Sequence, residues 1–337
     1  MRGVDIGRNR VPRLMHREGA AGARRDREGD NVKSMSARYR IASAVAATIV
    51  ASAFLVTGSV AGGTSPTSSG SLALAADPGS GLYRLDLGSL RLSRLTTGDE
   101  DGFPVWSRDG KRIAFIRGPY EDRRLFIVNS DKSGLHAVGK VITKYVSWGP
   151  GDKEIAFGDE RGGISIVRPD GTGLKRLHSS GQEPAWSPDG RTILFIRYGR
   201  GIFAMRADGG GVHAVVKWPK PTRQHEYLLS APAWSPNGKR ISYVQADNRS
   251  YPTETLIKTA NPDGSGQRTV ASMPLYPGGV PTWSPDSSWI AFADLGGEGR
   301  QSGIFAVPSS GGKRRLLYRG ANSIVIWYHP AWTRRGA

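Results

Sequence analysis

Cysteine is absent from this chain of 337 residues. The chain can therefore form neither a disulfide nor a lipid anchor on a cysteine, and its stability must come from packing. A sustained apolar period of 3.6 residues is also missing beyond residue 70, which argues against long amphipathic helices. The sequence is rich instead in turn-forming residues, with 45 glycines and 21 prolines, a composition that favours many short strands.

Charged residues are missing from positions 41–76, and positions 41–56 are apolar apart from Ser and Thr. Residues 1–40 precede this run with 11 Lys/Arg against 5 Asp/Glu and no apolar periodicity, so we predict that they are disordered. Small residues follow at positions 58–62, where a signal peptidase needs them. The pattern predicts a secretory signal that is cleaved after Ala61.

Two further interpretations of this region stay open. The uncharged run at 41–63 reaches the roughly 20 residues that span a bilayer, which allows an uncleaved membrane anchor. A chain that starts at Met35 would have a signal of ordinary length, so residues 1–34 can be an over-called start. With residues 64–70 as a linker, each interpretation places the rest outside the cytoplasm, as a secreted, periplasmic or membrane-anchored protein.

Six tryptophans mark an internal repeat. They are spaced by 42, 38, 48, 49 and 49 residues, at positions Trp106, Trp148, Trp186, Trp234, Trp283 and Trp332. In every complete copy an aromatic residue recurs nine positions later, as Phe115, Phe157, Phe195, Tyr243 and Phe292. Self-similarity at a period of this size indicates a solenoid, a propeller or an array.

Each copy reads as four short strands. A Pro-x-Trp strand leads through a turn such as 187–190 (Ser-Pro-Asp-Gly) to an alternating apolar strand. A third apolar strand, a glycine-rich turn and a basic, half-apolar fourth strand follow. Four antiparallel strands per period are typical of a propeller blade, and Lys or Arg on the outermost strand deters edge pairing. We number the blades 1 to 6 in the order of their tryptophans.

The sixth copy is split between the two ends of the chain. Only its first strand, 330–332, follows the fifth copy, whereas residues 72–75, 81–85 and 92–95 match the other three strands. The sequence therefore predicts an all-β, six-bladed β-propeller over residues 71–337 with four-stranded antiparallel blades. Its ring closes by pairing of the N- and C-terminal strands, which leaves no open sheet edge between them.

These residues carry a family resemblance. The pattern Pro-x-Trp-Ser-Pro-Asp-Gly-x-x-Ile-Ala-Phe, followed by an Ile-Phe-Ala-Val-type strand and a Gly-rich turn, resembles the WD40-like (PD40) repeat of TolB and its relatives. The resemblance covers residues 71–337 and implies the propeller fold. Oligogalacturonate lyases are similar to this repeat family and use histidines with a divalent metal. Prolyl-oligopeptidase-type enzymes carry similar blades with a hydrolase domain, but the sequence has no Gly-x-Ser-x-Gly motif.

Loop length indicates a binding face. In a four-stranded meander, the loop between strands two and three and the connection to the next blade lie on one face, which we call the looped face. The long connections, 216–231, 245–254, 271–280 and 318–329, all fall there. They carry aromatic and polar residues of the kind that recognition surfaces use, namely Trp218, His225, Tyr227, Tyr251, Tyr276, Trp327 and Tyr328.

A second group of candidates lies at the channel mouth. The residue before each Pro-x-Trp, or its equivalent, should line it, which gives Phe103, Tyr145, Glu183, Ala231, Val280 and His329. Glu183 and His329 belong to opposite blades of a six-fold ring, so they could hold the two ends of one ligand. The other interpretation of the aromatic rings is that they fill gaps between blades.

From these observations we expect an exported, non-catalytic propeller that binds a protein or peptide at its looped face and channel mouth. The alternative is a carbohydrate-active enzyme, a polysaccharide lyase or lactonase, with its site at the channel mouth. No clustered carboxylates or His-x-x-x-His motif occur, so we predict no catalytic residue, metal ligand or cofactor.

The net charge of the chain indicates the chemical class of its partner. After residue 40 the sequence has 36 Lys/Arg against 24 Asp/Glu. The basic residues are spread over the outer strands, and an exported protein rarely meets nucleic acid. We therefore expect that nucleic acid is not a partner. An acidic envelope polymer, an anionic membrane surface or an acidic partner fits this charge better. We expect the protein to be a monomer.

Overall fold

The computed structural model describes residues 70–75, 81–98, 100–119, 122–143, 145–225, 227–247, 254–274, 280–294, 303–319 and 331–333. Segments 1–40 and 41–63, and the linker except Gly70, lie outside the described residues. The candidates Tyr251, Tyr276, Trp327, Tyr328 and His329 also lie outside them. In the part of the chain that is described, no helix has the length and apolar character needed to cross a bilayer.

Within these residues, six four-stranded sheets account for all the strands. In chain order the strands are β1 (Ser71–Ala75), β2 (Leu82–Asp86), β3 (Leu92–Arg94), β4 (Gly102–Trp106), β5 (Arg112–Arg117), β6 (Arg124–Asn129), β7 (His136–Ile142), β8 (Val146–Trp148), β9 (Ile155–Gly158), β10 (Ile164–Val167), β11 (Lys175–His178), β12 (Gln182–Trp186), β13 (Thr192–Arg197), β14 (Gly201–Arg206), β15 (His213–Lys217), β16 (Tyr227–Trp234), β17 (Ile241–Asp247), β18 (Glu254–Ala260), β19 (Arg268–Pro274), β20 (Thr282–Trp283), β21 (Trp289–Asp294), β22 (Gly303–Pro308), β23 (Arg315–Tyr318) and β24 (Ala331–Thr333).

The strands pair as the repeat predicts. Blades 1 to 5 are the consecutive sets β4–β7, β8–β11, β12–β15, β16–β19 and β20–β23, and all their pairings are antiparallel. The remaining sheet has the order β24-β1-β2-β3. In this sheet, which is blade 6, the last strand of the chain pairs antiparallel with the first, so that Ala73 lies opposite Ala331 and Leu72 lies opposite Trp332. The predicted six-bladed fold and its closure by the terminal strands are confirmed.

The core is divided among the interfaces between blades. Because successive side chains of a strand point to opposite faces, each central strand packs against both neighbours. In β13, Ile193 and Phe195 join a buried cluster with blade 2, whereas Leu194 and Ile196 join a cluster with blade 4. Every blade is therefore apolar on both faces, and it is stable only between two other blades.

The marker tryptophans connect neighbouring blades. Trp186 is buried in the cluster between blades 2 and 3, and its backbone N–H donates to Ser147 Oγ of blade 2 at 2.9 Å. The indole of Trp234 donates from Nε1 to the carbonyl of Ala185 in blade 3 at 3.2 Å. The indole of Trp148 makes the same contact with Val105 in blade 1 at 3.0 Å. The repeat period thus places one large ring at each junction.

The Pro-Asp-Gly segments form the turns between the first two strands. In blade 3, Asp189 Oδ1 accepts hydrogen bonds from Ser187 Oγ at 2.6 Å and from the N–H of Arg191 at 3.0 Å. These bonds lower the pKa of Asp189, and the Ser187 hydroxyl is the largest cause. Gly190 follows at a φ of 72°, a conformation that glycine adopts without steric cost. These carboxylates therefore stabilise turns.

The packing of Trp186 leads to a first prediction. Replacing it with alanine removes a large buried ring and leaves a cavity between blades 2 and 3, so Trp186→Ala should lower the free energy of unfolding by about 3 to 5 kcal/mol. Urea denaturation measures the loss. Leu174 is 66% exposed and serves as the control. Leu174→Ala should change stability by no more than about 0.5 kcal/mol. Equal effects of the two substitutions would contradict the packing described for Trp186.

Candidate binding site on the looped face

Three candidates at the channel mouth share an unusual backbone. Phe103, Glu183 and Ala231 have φ values of 54°, 54° and 52°, in the left-handed region. Each precedes a proline, and the pairing of the first two strands skips at the same place in blades 1, 3 and 4. Proline within a sheet is confined to edges and bulges, so the bulge accommodates it. Such a conformation costs about 1 to 3 kcal/mol in a residue other than glycine, and it turns these side chains away from the regular strand pattern.

An aromatic pair forms where blades 1 and 2 meet. Phe103 and Tyr145 contact edge to face, with ring centroids 5.5 Å apart. The guanidinium carbon of Arg123 lies 5.4 Å from the centroid of the Phe103 ring, within the range of a cation–π contact. The structure thus brings together two of the predicted channel-mouth residues, and it adds Arg123.

Glu183 connects blades 3 and 4. It is only 3% exposed, and its Oε2 accepts a hydrogen bond from the backbone N–H of Ala231 at 2.6 Å. Its Oε1 accepts a bond from the Tyr198 hydroxyl at 2.7 Å. Hydrogen bonds to an ionised carboxylate are stronger than neutral ones, so this contact fixes Glu183 to Ala231, two residues that the sequence predicts at the channel mouth.

Tyr198 and Trp218 form a second aromatic pair on the looped face. Tyr198 is 58% exposed, and its ring centroid lies 6.4 Å from that of Trp218, at 74° between the planes. Trp218 is half-buried and packs against the core cluster between blades 3 and 4. Trp218 therefore fills a gap between blades and also supports Tyr198. Tyr198 lies in the short loop between β13 and β14. Loop length, the criterion used on the sequence, does not predict a binding residue in so short a loop.

A third group lies at the start of blade 4. His225 stacks on Tyr227, with centroids 5.7 Å apart and planes 9° apart. The His225 Nδ1 atom pairs with Asp247 Oδ2, and Asp247 is buried opposite Tyr227 in the sheet. The His225 side chain remains 46% exposed. Asp247 thus orients a partly exposed imidazole ring.

A cavity of about 500 Å³ opens between blades 2 and 3. Its lining includes Ser180 and Gly181 from the connection between the blades, and Arg197, Tyr198 and Arg200 from the end of β13 and the loop that follows. These segments are a blade-to-blade connection and a loop between second and third strands, so the cavity belongs to the looped face. Within the described ranges, no three His, Asp or Glu side chains are placed to share a metal ion.

Solved structures show a shared fold. No protein-family model matches the chain, and no curated protein matches it. TolB from Acinetobacter baumannii is similar to it with a TM-score of 0.59 and 17% identity, over 80% of this chain and 67% of that one. The protein has a TolB-like propeller fold.

Two other structures are similar over comparable lengths. A putative TolB from Agrobacterium tumefaciens has a TM-score of 0.50 and 21% identity, over 62% of this chain and 79% of that chain. An oligogalacturonate lyase in complex with manganese has a TM-score of 0.49 and 16% identity, over 71% and 70%. At these identities the likeness is one of fold alone.

The geometry of Glu183 leads to a second prediction. Glu183→Ala leaves the buried N–H of Ala231 without its acceptor, a loss of about 1 to 3 kcal/mol in the free energy of unfolding. Thermal and urea denaturation measure it. Glu160 is exposed and serves as the control, because Glu160→Ala removes a carboxylate from the surface of the neighbouring blade 2. A Glu183→Ala protein as stable as the control would show that the contact with Ala231 contributes nothing.

Proposed function

We propose that this TolB-like propeller is an extracytoplasmic, non-catalytic binding protein that takes a protein or peptide partner at its looped face and channel mouth. The observation that carries the proposal is the concentration of partly exposed aromatic rings beside polar groups on this face. Tyr198 next to Glu183 and Trp218, and His225 next to Tyr227, are the described examples. Interfaces are enriched in such side chains because they combine apolar area with hydrogen-bonding groups.

The rigidity of these groups supports the same proposal. Tyr198 is held by a hydrogen bond to a buried carboxylate, and His225 is held by Asp247. Side chains that are ordered before binding lose less conformational entropy when a partner contacts them. Export of the chain is supported by the basic segment and the uncharged run that follows it in the sequence.

Site-specific photo-crosslinking in cells tests this function. A photoreactive phenylalanine analogue placed at Tyr198 or His225 should give discrete protein adducts. The matched control is Arg191, which is exposed on the turn of the opposite face of blade 3 and should give none.

Two results would count against the proposal. One is the absence of any adduct at both looped-face positions under conditions in which the protein is exported. The other is a purified protein that retains a stoichiometric divalent ion and cleaves an acidic polysaccharide, which would support the lyase alternative.

A further inference from the structure

Blade 1 contains an internal ion pair on the looped face. The guanidinium of Arg117 lies over the rings of Phe115 and Phe126, at 5.4 Å and 4.9 Å from their centroids. It donates from Nε to Asp101 Oδ1 at 2.6 Å and from Nη2 to Asp101 Oδ2 at 2.9 Å. Asp101 is buried. This is a bidentate arginine–carboxylate contact, among the strongest hydrogen-bonded pairs in proteins.

Blade 3 repeats the arginine without the carboxylate. Arg197 occupies the position of Arg117, next to the equivalent strand pairs Gly102 with Ile116 and Gln182 with Ile196. Its guanidinium lies over the equivalent rings, at 5.6 Å from Phe195 and 4.7 Å from Phe203. The position of Asp101 is taken by Gly181. The aromatic platform for an arginine–carboxylate pair is therefore present in both blades, but only blade 1 supplies the acid.

The buried Nε atom of Arg197 has no hydrogen-bond partner in the described part of the chain. Its Nη2 atom lies 3.1 Å from His178 Nε2. A guanidinium can only donate, so His178 Nε2 accepts this hydrogen bond. Among the described residues, no carboxylate accepts a hydrogen bond from Arg197.

An acidic side chain would not fit at position 181. Gly181 has a φ of 141°, and a Cβ atom there would lie 2.4 Å from Cδ2 of Phe195. The space beside Arg197 is instead the cavity of about 500 Å³, which Arg200 also lines. Arg200 is exposed and forms no ion pair with any described residue. Two cationic side chains thus border a cavity large enough for a ligand.

We infer that this cavity binds an acidic side chain of a peptide partner, whose carboxylate pairs with the guanidinium groups of Arg197 and Arg200 at the cavity wall. The inference rests on the proposed function and names the chemistry of one contact within it. A peptide carboxylate is favoured because the occupant seen on the equivalent arginine is an aspartate of a polypeptide. The exposed Tyr198, at the rim of the same cavity, offers an aromatic surface to the rest of such a segment.

Side-chain NMR of the exported protein labelled with ¹⁵N-arginine tests the site directly. The probe is N-acetyl-glutamate α-amide, and the control is its uncharged isostere, N-acetyl-glutamine α-amide. The Nε–H resonance of Arg197 should shift and saturate with the first probe and not with the second, whereas that of Arg117, already paired with Asp101, should stay in place. No shift beyond that caused by sodium chloride of equal ionic strength, or equal shifts with both probes, would overturn the inference.

Variants separate binding from folding. Arg197→Lys keeps the charge and loses the planar guanidinium, so affinity for the glutamate probe should fall about tenfold or more. Arg200→Gln changes an exposed side chain and should weaken binding by up to about fivefold. Arg191→Gln, on the opposite face, should leave affinity unchanged. Unfolding curves of all three variants accompany the titrations, and a wild-type affinity in the folded Arg197→Lys protein would contradict the assignment.

Other anions and the crosslinks complete the test. Tighter binding of inorganic phosphate or of digalacturonate than of the glutamate probe would overturn a peptide as the occupant. Photo-crosslinks at Tyr198 should weaken in the Arg197→Lys protein. Crosslinks at full yield in that variant would contradict the carboxylate contact but not the proposed function. The absence of crosslinks in the unsubstituted protein would contradict the proposed function itself.

Discussion

The pairing of the last strand, Ala331–Thr333, with the first, Ser71–Ala75, is the contact on which the rest of the structure depends. Each blade is apolar on both faces: in β1 the side chains of Leu72 and Leu74 pack toward blade 5, and those of Ala73 and Ala75 toward blade 1. Six such sheets can all cover both faces only in a closed ring, because an open row would leave two faces in water. Closure therefore sets the positions of the described loops on the looped face.

Differences between equivalent positions of the blades then produce the candidate site. The repeat supplies the same scaffold six times, so a position at which one blade differs marks a feature of that blade alone. Blade 1 satisfies Arg117 internally with Asp101, whereas blade 3 places glycine at that point and leaves Arg197 beside a cavity. Glu183 is likewise found in one blade, and it fixes Tyr198 and Ala231. The features that distinguish blade 3 from its neighbours thus lie together on the looped face.

The sequence was sufficient to predict the strands and the closure, because both follow from a local pattern repeated at a fixed period. It was not sufficient for the bulges at Phe103, Glu183 and Ala231, since a left-handed backbone in a residue other than glycine depends on its surroundings. Glu183 and Ala231 are 48 residues apart, and only the ring brings them together. Tyr198 and Asp247 were missed because loop length and aromatic content reveal neither a short loop nor a buried orienting group. Tyr251, Tyr276, Trp327, Tyr328 and His329 remain predictions.

Amide hydrogen exchange at the closing strand tests the central claim most directly. The backbone N–H of Trp332 donates to Thr282 Oγ1 of blade 5 and therefore points away from β1. Because hydrogen-bonded and non-hydrogen-bonded pairs alternate along an antiparallel ladder, the neighbouring pair, Ala331 and Ala73, is the one whose N–H groups face each other. Ala185 and Leu194 form the equivalent pair within blade 3 and provide the reference. A closed ring predicts that the amides of Ala331 and Ala73 exchange as slowly as this pair and open with the same free energy as the whole propeller. Rapid exchange at Ala331 while the Ala185–Leu194 pair stays protected would contradict closure by the terminal strands.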